Sequence, residues 1–148
     1  MKLTVYLAGE IHSTWREEII NGAHQQNLPV TFLNPVVTHE ASDNVGADIL
    51  GPEEKSFWKD HKAANINAMR IRAGLERADI VVVKFGEKYR QWNAAFDAGY
   101  AVAKGKSVII IHPPEFGHAL KEVDAAAMAV AETTAQVVEI LTYISTQR

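Results

Sequence analysis

Two short and almost continuous apolar segments constrain the fold of this chain more than any other feature. They are residues 79–85 (DIVVVKF) and Ser107–Ile111 (SVIII), and both are rich in β-branched side chains. A strand covered on both faces carries such a run, whereas a strand with one face in water alternates apolar and polar residues. The two segments therefore predict central strands of a parallel sheet with helices on both sides.

The rest of the chain continues this alternation of strands and helices. Further strands are predicted at 3–8 and 30–33 and, more weakly, near 127–131. Helices are predicted at 14–26, 52–77, 91–104 and 133–145, with a short helical piece after Pro113-Pro114. Thr14 and Glu17 have the spacing of a capping box for the first helix. Residues 39–51 (HEASDNVGADILG) match neither period, so they are predicted to form a long loop, after which Pro52 opens the next helix.

The order of these elements predicts the fold class. Strand and helix alternate about five times along 148 residues, which favours a single α/β domain over 1–148. The expected architecture is a doubly wound, mainly parallel sheet of about five strands with helices on both faces, as in Rossmann-like and flavodoxin-like folds. Such folds bind ligands beyond the carboxyl ends of the strands, where the strand order reverses. Candidate site residues are therefore sought in the loops that follow the strands.

Composition removes several classes of function. The chain has no cysteine, so disulfides, thiolate metal sites and a cysteine nucleophile are excluded. Its net charge of −3 argues against binding to a nucleic acid polymer, which needs a strongly positive surface. No apolar segment approaches the roughly 20 residues that span a bilayer, and the start of the chain lacks the features of a signal peptide. We expect no membrane association and a cytoplasmic location.

The common cofactor and nucleophile motifs do not occur either. The loop after the first strand has no GxGxxG or GxxxxGK[ST] pattern, and no GxSxG elbow is present. The six histidines form no HExxH or HxH pair. The sequence therefore predicts neither a metal site nor a cofactor.

The segment with the most chemical content is 85–101 (FGEKYRQWNAAFDAGYA). Asn93 and Asp97 are four residues apart, so they share one face of the predicted helix. Both lie in its first two turns, beside a strand's carboxyl end, and are predicted to point into the ligand crevice. The alternative for Asp97 is a solvent-exposed acid that the helix dipole favours.

Several short motifs in this order resemble the nucleoside 2-deoxyribosyltransferase superfamily. They are YLAG at 6–9, ADIVVV at 78–83, DAGYA at 97–101 and GKSV at 105–108. The longer stretches YLAGEIHSTWREE (6–18) and KFGEKYRQWNAAFDAGYA (84–101) resemble the YtoQ family, a small-protein branch of that superfamily.

This resemblance implies a double displacement at a sugar carbon. Asp97 matches the position of the superfamily's nucleophile, Tyr6 would lie near the sugar and the nucleophile, and Gly9 would let the first loop approach the ligand. A carboxylate in this role stabilises oxocarbenium-like charge and then traps it covalently. The substrate would be a small nucleoside or nucleotide, and the resemblance also implies a homo-oligomer.

The chain also departs from the superfamily pattern. Asp97 stands where the superfamily has glutamate, which shortens the reach of the side chain by one methylene. Ile71 aligns with the superfamily aspartate that lies beside the nucleobase. Either Glu10, Asp43 or His12 takes over the acid role, or the protein binds a ligand without that chemistry.

Other side chains near the crevice are candidates for substrate binding. His12 and Arg16 begin the first helix, where the alternative is a capping turn with Arg16 in solvent. Trp92 could stack on a base, or pack in the core or against another subunit.

Cationic side chains also cluster around the carboxyl end of the third strand. Lys84, Lys88 and Arg90 suit a phosphate group and favour a nucleotide over a neutral nucleoside, while a solvated surface is the alternative.

Three functions follow from these residues. The first is an N-glycosyl hydrolase or deoxyribosyltransferase with a carboxylate nucleophile. The second, of a different class, is a non-catalytic nucleotide-binding or sensing module that keeps the crevice. A structural protein is the weakest, because the polar residues concentrate at the predicted strand ends.

Overall fold

One parallel sheet forms the centre of the protein. The computed structural model describes residues 1–88 and 91–146, and its five strands pair in the order β2-β1-β3-β4-β5, all parallel. The strands are β1 (Leu3–Gly9), β2 (Val30–Leu33), β3 (Ile80–Lys84), β4 (Ser107–Ile111) and β5 (Ala129–Ala131). This confirms the predicted α/β fold.

Helices cover both faces of the sheet. They are α1 (Trp15–Gln25), α2 (His39–Leu50), α3 (Ser56–Arg77), α4 (Trp92–Ala103), α5 (Lys121–Ala126) and α6 (Thr134–Thr146), with a 3₁₀ turn at Pro114–Phe116. Among the described residues, no helix is both long and apolar enough to cross a membrane.

Alternate side chains of β1, β3 and β4 enter two separate cores. On one face, Val5 and Val82 pack with residues of α1 and α6. On the other face, Tyr6, Val81 and Val83 pack with residues of α3 and α4. Burial on both faces explains why β3 and β4 are apolar at nearly every position.

After β1 the chain continues on one face of the sheet, and after β3 it continues on the other. Residues of α1, which follows β1, belong to one core, and residues of α4, which follows β3, belong to the other. Because β1 and β3 are neighbours, the two connections diverge between them and leave a crevice over their carboxyl ends.

The prediction of a loop at 39–51 was wrong, since these residues form α2. Gly46 is buried where α2 crosses α3, and a Cβ there would lie 2.6 Å from the backbone nitrogen of Ala63. The Asn67 amide also donates hydrogen bonds to the carbonyl and hydroxyl oxygens of Ser42, at 3.0 and 3.1 Å. Contacts with α3 therefore stabilise a helix whose own sequence is polar and contains glycine.

The predicted start of the next helix was also wrong. Residues 52–55 form the turn between α2 and α3, and α3 begins at Ser56. Within this turn the Glu53 carboxylate pairs with Lys62 at 2.5 Å. The acid therefore links the turn to the second helical turn of α3 rather than starting the helix.

Candidate active site

A cleft of about 580 Å³ lies over the carboxyl ends of β1 and β2, beside the start of α4. Its lining residues come from the loop after β1, the β2–α2 connection and three helices. They are Gly9, Glu10, Ile11, His12, Pro35, Val36, His39, Ser42, Ile71, Gln91, Asn93, Ala94 and Asp97.

A second lobe of about 520 Å³ continues this cleft between α2, α3 and α4. The two lobes share Ser42, Ile71, Asn93 and Asp97. We call Gly9, Glu10, Asn93 and Asp97 the sheet-side wall. The opposite side, which we call the hairpin wall after the consecutive helices α2 and α3, consists of His39, Ser42, Asp43 and Ile71. Asp97 lies where the two lobes join.

Asp97 occupies the second turn of α4 and is only partly exposed. Asn93, one turn earlier, lines the same two lobes, as the four-residue spacing predicts. Burial raises the pKa of Asp97 to about 6. The carboxylate is therefore ionised at neutral pH but exchanges a proton more readily than an ordinary aspartate.

The Tyr6 side chain on β1 is buried beneath α3. A Cβ at Gly74 would lie 2.5 Å from the Tyr6 Cε2 atom, so a glycine in α3 makes room for the ring. Among the described residues, the Tyr6 hydroxyl has no hydrogen-bond partner. Burial and then the charge of Asp97 raise the pKa of Tyr6 above its usual value. The phenol thus stays protonated at neutral pH.

A glycine allows the first loop to lie tightly on the sheet. Gly9 has φ +113°, and a Cβ there would lie 2.6 Å from the backbone nitrogen of Lys84. The next residue, Glu10, donates its N–H to the Lys84 carbonyl at 3.0 Å. The loop is therefore fixed against the end of β3, directly beside the cleft.

The Glu10 carboxylate organises the turn that leads into α1. It accepts hydrogen bonds from the His12 N–H, at 2.6 Å, and from the Ser13 hydroxyl, and Glu10 is 6% exposed. The predicted capping box was wrong: Thr14 makes no side-chain cap and instead donates to Glu18 at 3.2 Å. The Glu10 carboxylate thus fixes the turn before α1 and does not cap the helix itself.

Arg16 lies beneath the first loop, and the structure shows neither of its predicted placements, a side chain in solvent or in contact with the cleft. Its Nε, Nη1 and Nη2 donate to the carbonyls of Leu7, Glu10 and Gly9, at 3.0, 2.7 and 3.2 Å. Burial lowers the pKa of Arg16 to about 10, so it remains charged at neutral pH. Its contacts hold the end of β1 and the loop in place.

Two histidines and an aspartate lie together at the hairpin wall. The rings of His12 and His39 stack with centroids 6.0 Å apart and an interplanar angle of 27°. His39 Nδ1 lies 2.9 Å from the Asp43 Oδ2. His39 was missed because 39–51 was predicted as a loop, although the i,i+4 spacing of His39 and Asp43 is a helical signal.

The sequence model of the family described as "Nucleoside 2-deoxyribosyltransferase YtoQ" matches residues 6–145. The chain belongs to this YtoQ family. The protein YtoQ of Bacillus subtilis strain 168, described as uncharacterized, is 47% identical over 144 residues, which cover 97% of each chain.

Solved structures show the same fold at low sequence identity. A conserved protein from Enterococcus faecalis V583 matches with a TM-score of 0.63 and 14% identity, over 97% of this chain and 99% of its own. A 2-deoxyribosyltransferase from Bacillus psychrosaccharolyticus matches with a TM-score of 0.53 and 18% identity, over 91% and 90%. The YtoQ-family chain therefore shares its architecture with a known deoxyribosyltransferase.

The cationic residues of this YtoQ-family chain do not all face the cleft. Lys84 and Lys88 line a separate cavity of about 450 Å³, which also contains Glu87 and Glu132. This cavity meets the main cleft at Glu10 and His12. Arg90, the third predicted member of the cluster, lies outside the described residues.

Two further site predictions concern Trp92 and metal binding. Trp92 is the first residue of α4 and is 73% exposed, so it is not part of the core. Within 1–88 and 91–146, no three histidine, aspartate or glutamate side chains are grouped closely enough to hold a metal ion.

Proposed function

We propose that this protein cleaves the N-glycosidic bond of a small nucleoside or nucleotide, as a hydrolase or a deoxyribosyltransferase, with Asp97 as the nucleophile. The observation that carries the proposal is the position of Asp97, a partly buried carboxylate at the junction of two lobes. The membership in the YtoQ family and the fold shared with a 2-deoxyribosyltransferase support the substrate class.

The reaction proceeds in two displacements. In the first, an Asp97 oxygen attacks the anomeric carbon, and the C–N bond breaks with its electron pair moving to the base, which takes up a proton. In the second, water or another base attacks the same carbon and releases the carboxylate. A carboxylate with a pKa of about 6 suits both steps, because it is ionised for attack and is a good leaving group afterwards.

The neighbouring side chains support this role of Asp97. Tyr6 supplies a buried hydroxyl close to Asp97 that lacks a partner among the described residues, and a hydrogen bond from it would orient the carboxylate. Asn93 lines both lobes beside Asp97 and is placed to bind sugar hydroxyls. Gly9 lets the first loop lie against the end of β3, beside the cleft.

The rival proposal is a nucleotide-binding or sensing module without catalysis. Ile71, an apolar residue, lines both lobes at the position that aligns with the superfamily's base-side aspartate. The Glu10 carboxylate, a candidate for the acid role, is already bonded to His12 and Ser13. These two observations favour binding over chemistry unless another group protonates the base.

Incubation with a panel of nucleosides and 5′-nucleotides, followed by chromatography, separates the two proposals. Base release that falls to background in Asp97→Asn, but not in the matched control Asp48→Asn on α2, is the expected result for the enzyme. Thermal stabilisation by a ligand that is never cleaved is the result for the binding module.

The quaternary structure and location are proposals as well. We propose a cytoplasmic homo-oligomer. Large apolar side chains that are exposed in the single chain support the assembly. They include Phe57, Trp58, Met69, Trp92 and Phe96. Light scattering after size-exclusion chromatography tests the assembly, because a particle of 16.3 kDa would contradict it, and cell fractionation tests the location.

A further inference from the structure

A departing base needs a proton source inside the cleft. A purine or pyrimidine anion leaves poorly, and proton transfer from a placed side chain contributes about 10²- to 10⁴-fold to the rate. Ile71 provides no proton, and the Glu10 carboxylate is bonded within the turn before α1. The donor must therefore come from another residue of the cleft.

His39 has the position that this role requires. It is the first residue of α2 and lines the same lobe as Asp97. Imidazole is the side chain that exchanges protons most readily near neutral pH. His39 is also largely exposed, as is Asp43, so the ring can regain a proton from water between turnovers.

Two contacts orient the His39 ring. An ionised Asp43 only accepts hydrogen bonds, so His39 Nδ1 donates to it across 2.9 Å and the other ring nitrogen, Nε2, is left for a ligand. The His12 ring stacks on the His39 ring at 6.0 Å. A carboxylate that holds Nδ1–H while Nε2 exchanges a proton is the arrangement found in catalytic histidine–aspartate pairs.

We propose that His39 is the general acid for the departing base and that Asp43 is its positioning residue. This inference rests on the proposed function of the cleft. In the first displacement the His39 Nε2–H proton moves to the base as the C–N bond breaks, which leaves a neutral imidazole. In the second displacement Nε2 takes a proton from the attacking water, and the C–O bond to Asp97 breaks. The imidazolium and the free carboxylate are both restored.

The titratable and charged groups of the two lobes belong to several elements. Glu10 and His12 come from the first loop, Asp43 from α2 and Asp97 from α4. Asp60 and Arg72 of α3, and Tyr100 of α4, line the second lobe. A pH profile therefore assigns the titration to His39 only when a His39 variant abolishes it.

The test compares His39→Gln with His24→Gln, an exposed histidine of α1 that serves as the matched control. With the nucleoside that the protein cleaves fastest, we expect His39→Gln to lower kcat by about 10²- to 10⁴-fold. KM should change by less than about threefold, and the fall of kcat with rising pH should disappear. A kcat and pH profile like those of the unaltered protein would overturn the proposal.

Two further variants keep the outcomes distinct. Asp43→Asn retains the imidazole and should lower kcat by about tenfold at unchanged KM, since only the orientation is lost. Should His39→Gln fail to fold, an unchanged kcat in Asp43→Asn would overturn the proposal instead. Full activity in Asp97→Asn would overturn the proposed function itself. Loss in Asp97→Asn with none in the His39 and Asp43 variants would remove this inference alone.

Discussion

The two walls of the cleft are built in different ways. The sheet-side wall is fixed to the ends of β1 and β3 through Gly9, the buried Glu10 and the guanidinium of Arg16. The hairpin wall stands on α2, and its pair His39 and Asp43 is largely exposed. The first loop beside Asp97 thus has a rigid support, whereas His39 and Asp43 lie on the exposed side of a helix.

We expect the largest effect from a variant that disrupts the hydrogen bonds behind the sheet-side wall. Arg16→Met removes a buried donor from the carbonyls of Leu7, Gly9 and Glu10. The Trp15 indole still donates to the Glu10 carbonyl, and we expect a loss of about 3 kcal/mol in the free energy of unfolding. Urea denaturation measures it, with Arg77→Met at the exposed end of α3 as the control. Equal stability of the two variants would mean that Arg16 does not support the loop.

The corresponding change in the hairpin wall should cost less. Gly46→Ala places a methyl group 2.6 Å from the backbone nitrogen of Ala63, so α2 must shift away from α3 at a cost of about 1–3 kcal/mol. We expect base release to fall with it, because His39 and Asp43 move with α2. Gly105→Ala is not a suitable control because Gly105 has φ +72°. Ala41→Ser on the exposed side of α2 serves as the control instead. A Gly46→Ala variant as stable and active as that control would show that α2 does not pack closely on α3 at Gly46.

Ionisation of Asp97, in the sheet-side wall, makes the free energy of unfolding depend on pH. The folded-state pKa of about 6 lies above the ordinary aspartate value of 3.8, so Asp97 contributes stability below about pH 4 that is lost as the pH rises through 6. Asp97→Asn should therefore match the unaltered protein near pH 4 and exceed it by about 1–2 kcal/mol at pH 8. Thermal unfolding across this range tests the prediction. A variant that is less stable at pH 8 would show that the carboxylate is not destabilised by burial.

The smallest expected effect concerns the cavity that holds Lys84. We propose that Lys84 binds the phosphate of a nucleotide, because this cavity adjoins the cleft at Glu10 and His12. Lys84→Ala should weaken binding of a 5′-monophosphate by about tenfold and leave the parent nucleoside unaffected. Titration calorimetry with Lys121→Ala as the control measures it. Equal affinity of the unaltered protein for nucleoside and monophosphate would remove the phosphate site.

The sequence predicts the sheet-side wall of the cleft better than the hairpin wall. The β-branched runs of β3 and β4 determine a sheet covered on both faces, and the spacing of Asn93 and Asp97 puts both in the crevice. The helix α2 was missed because its polar residues and Gly46 resemble a loop, although Gly46 serves packing against α3 and only the spacing of His39 and Asp43 indicates a helix. Local pattern also cannot show that Arg16 turns inward onto the carbonyls of the preceding loop, since the path of that loop depends on its contact with Lys84 of β3.

The most direct test of the account is a search for the covalent glycosyl–enzyme. A 2-fluoro-substituted nucleoside slows the second displacement, so intact-mass spectrometry should show the protein with one added fluoroglycosyl group. Peptide mapping should place that group on Asp97, and Asp97→Asn should remain unmodified. Modification of a different residue, or base release from this substrate with no adduct at Asp97 at any time point, would contradict the account.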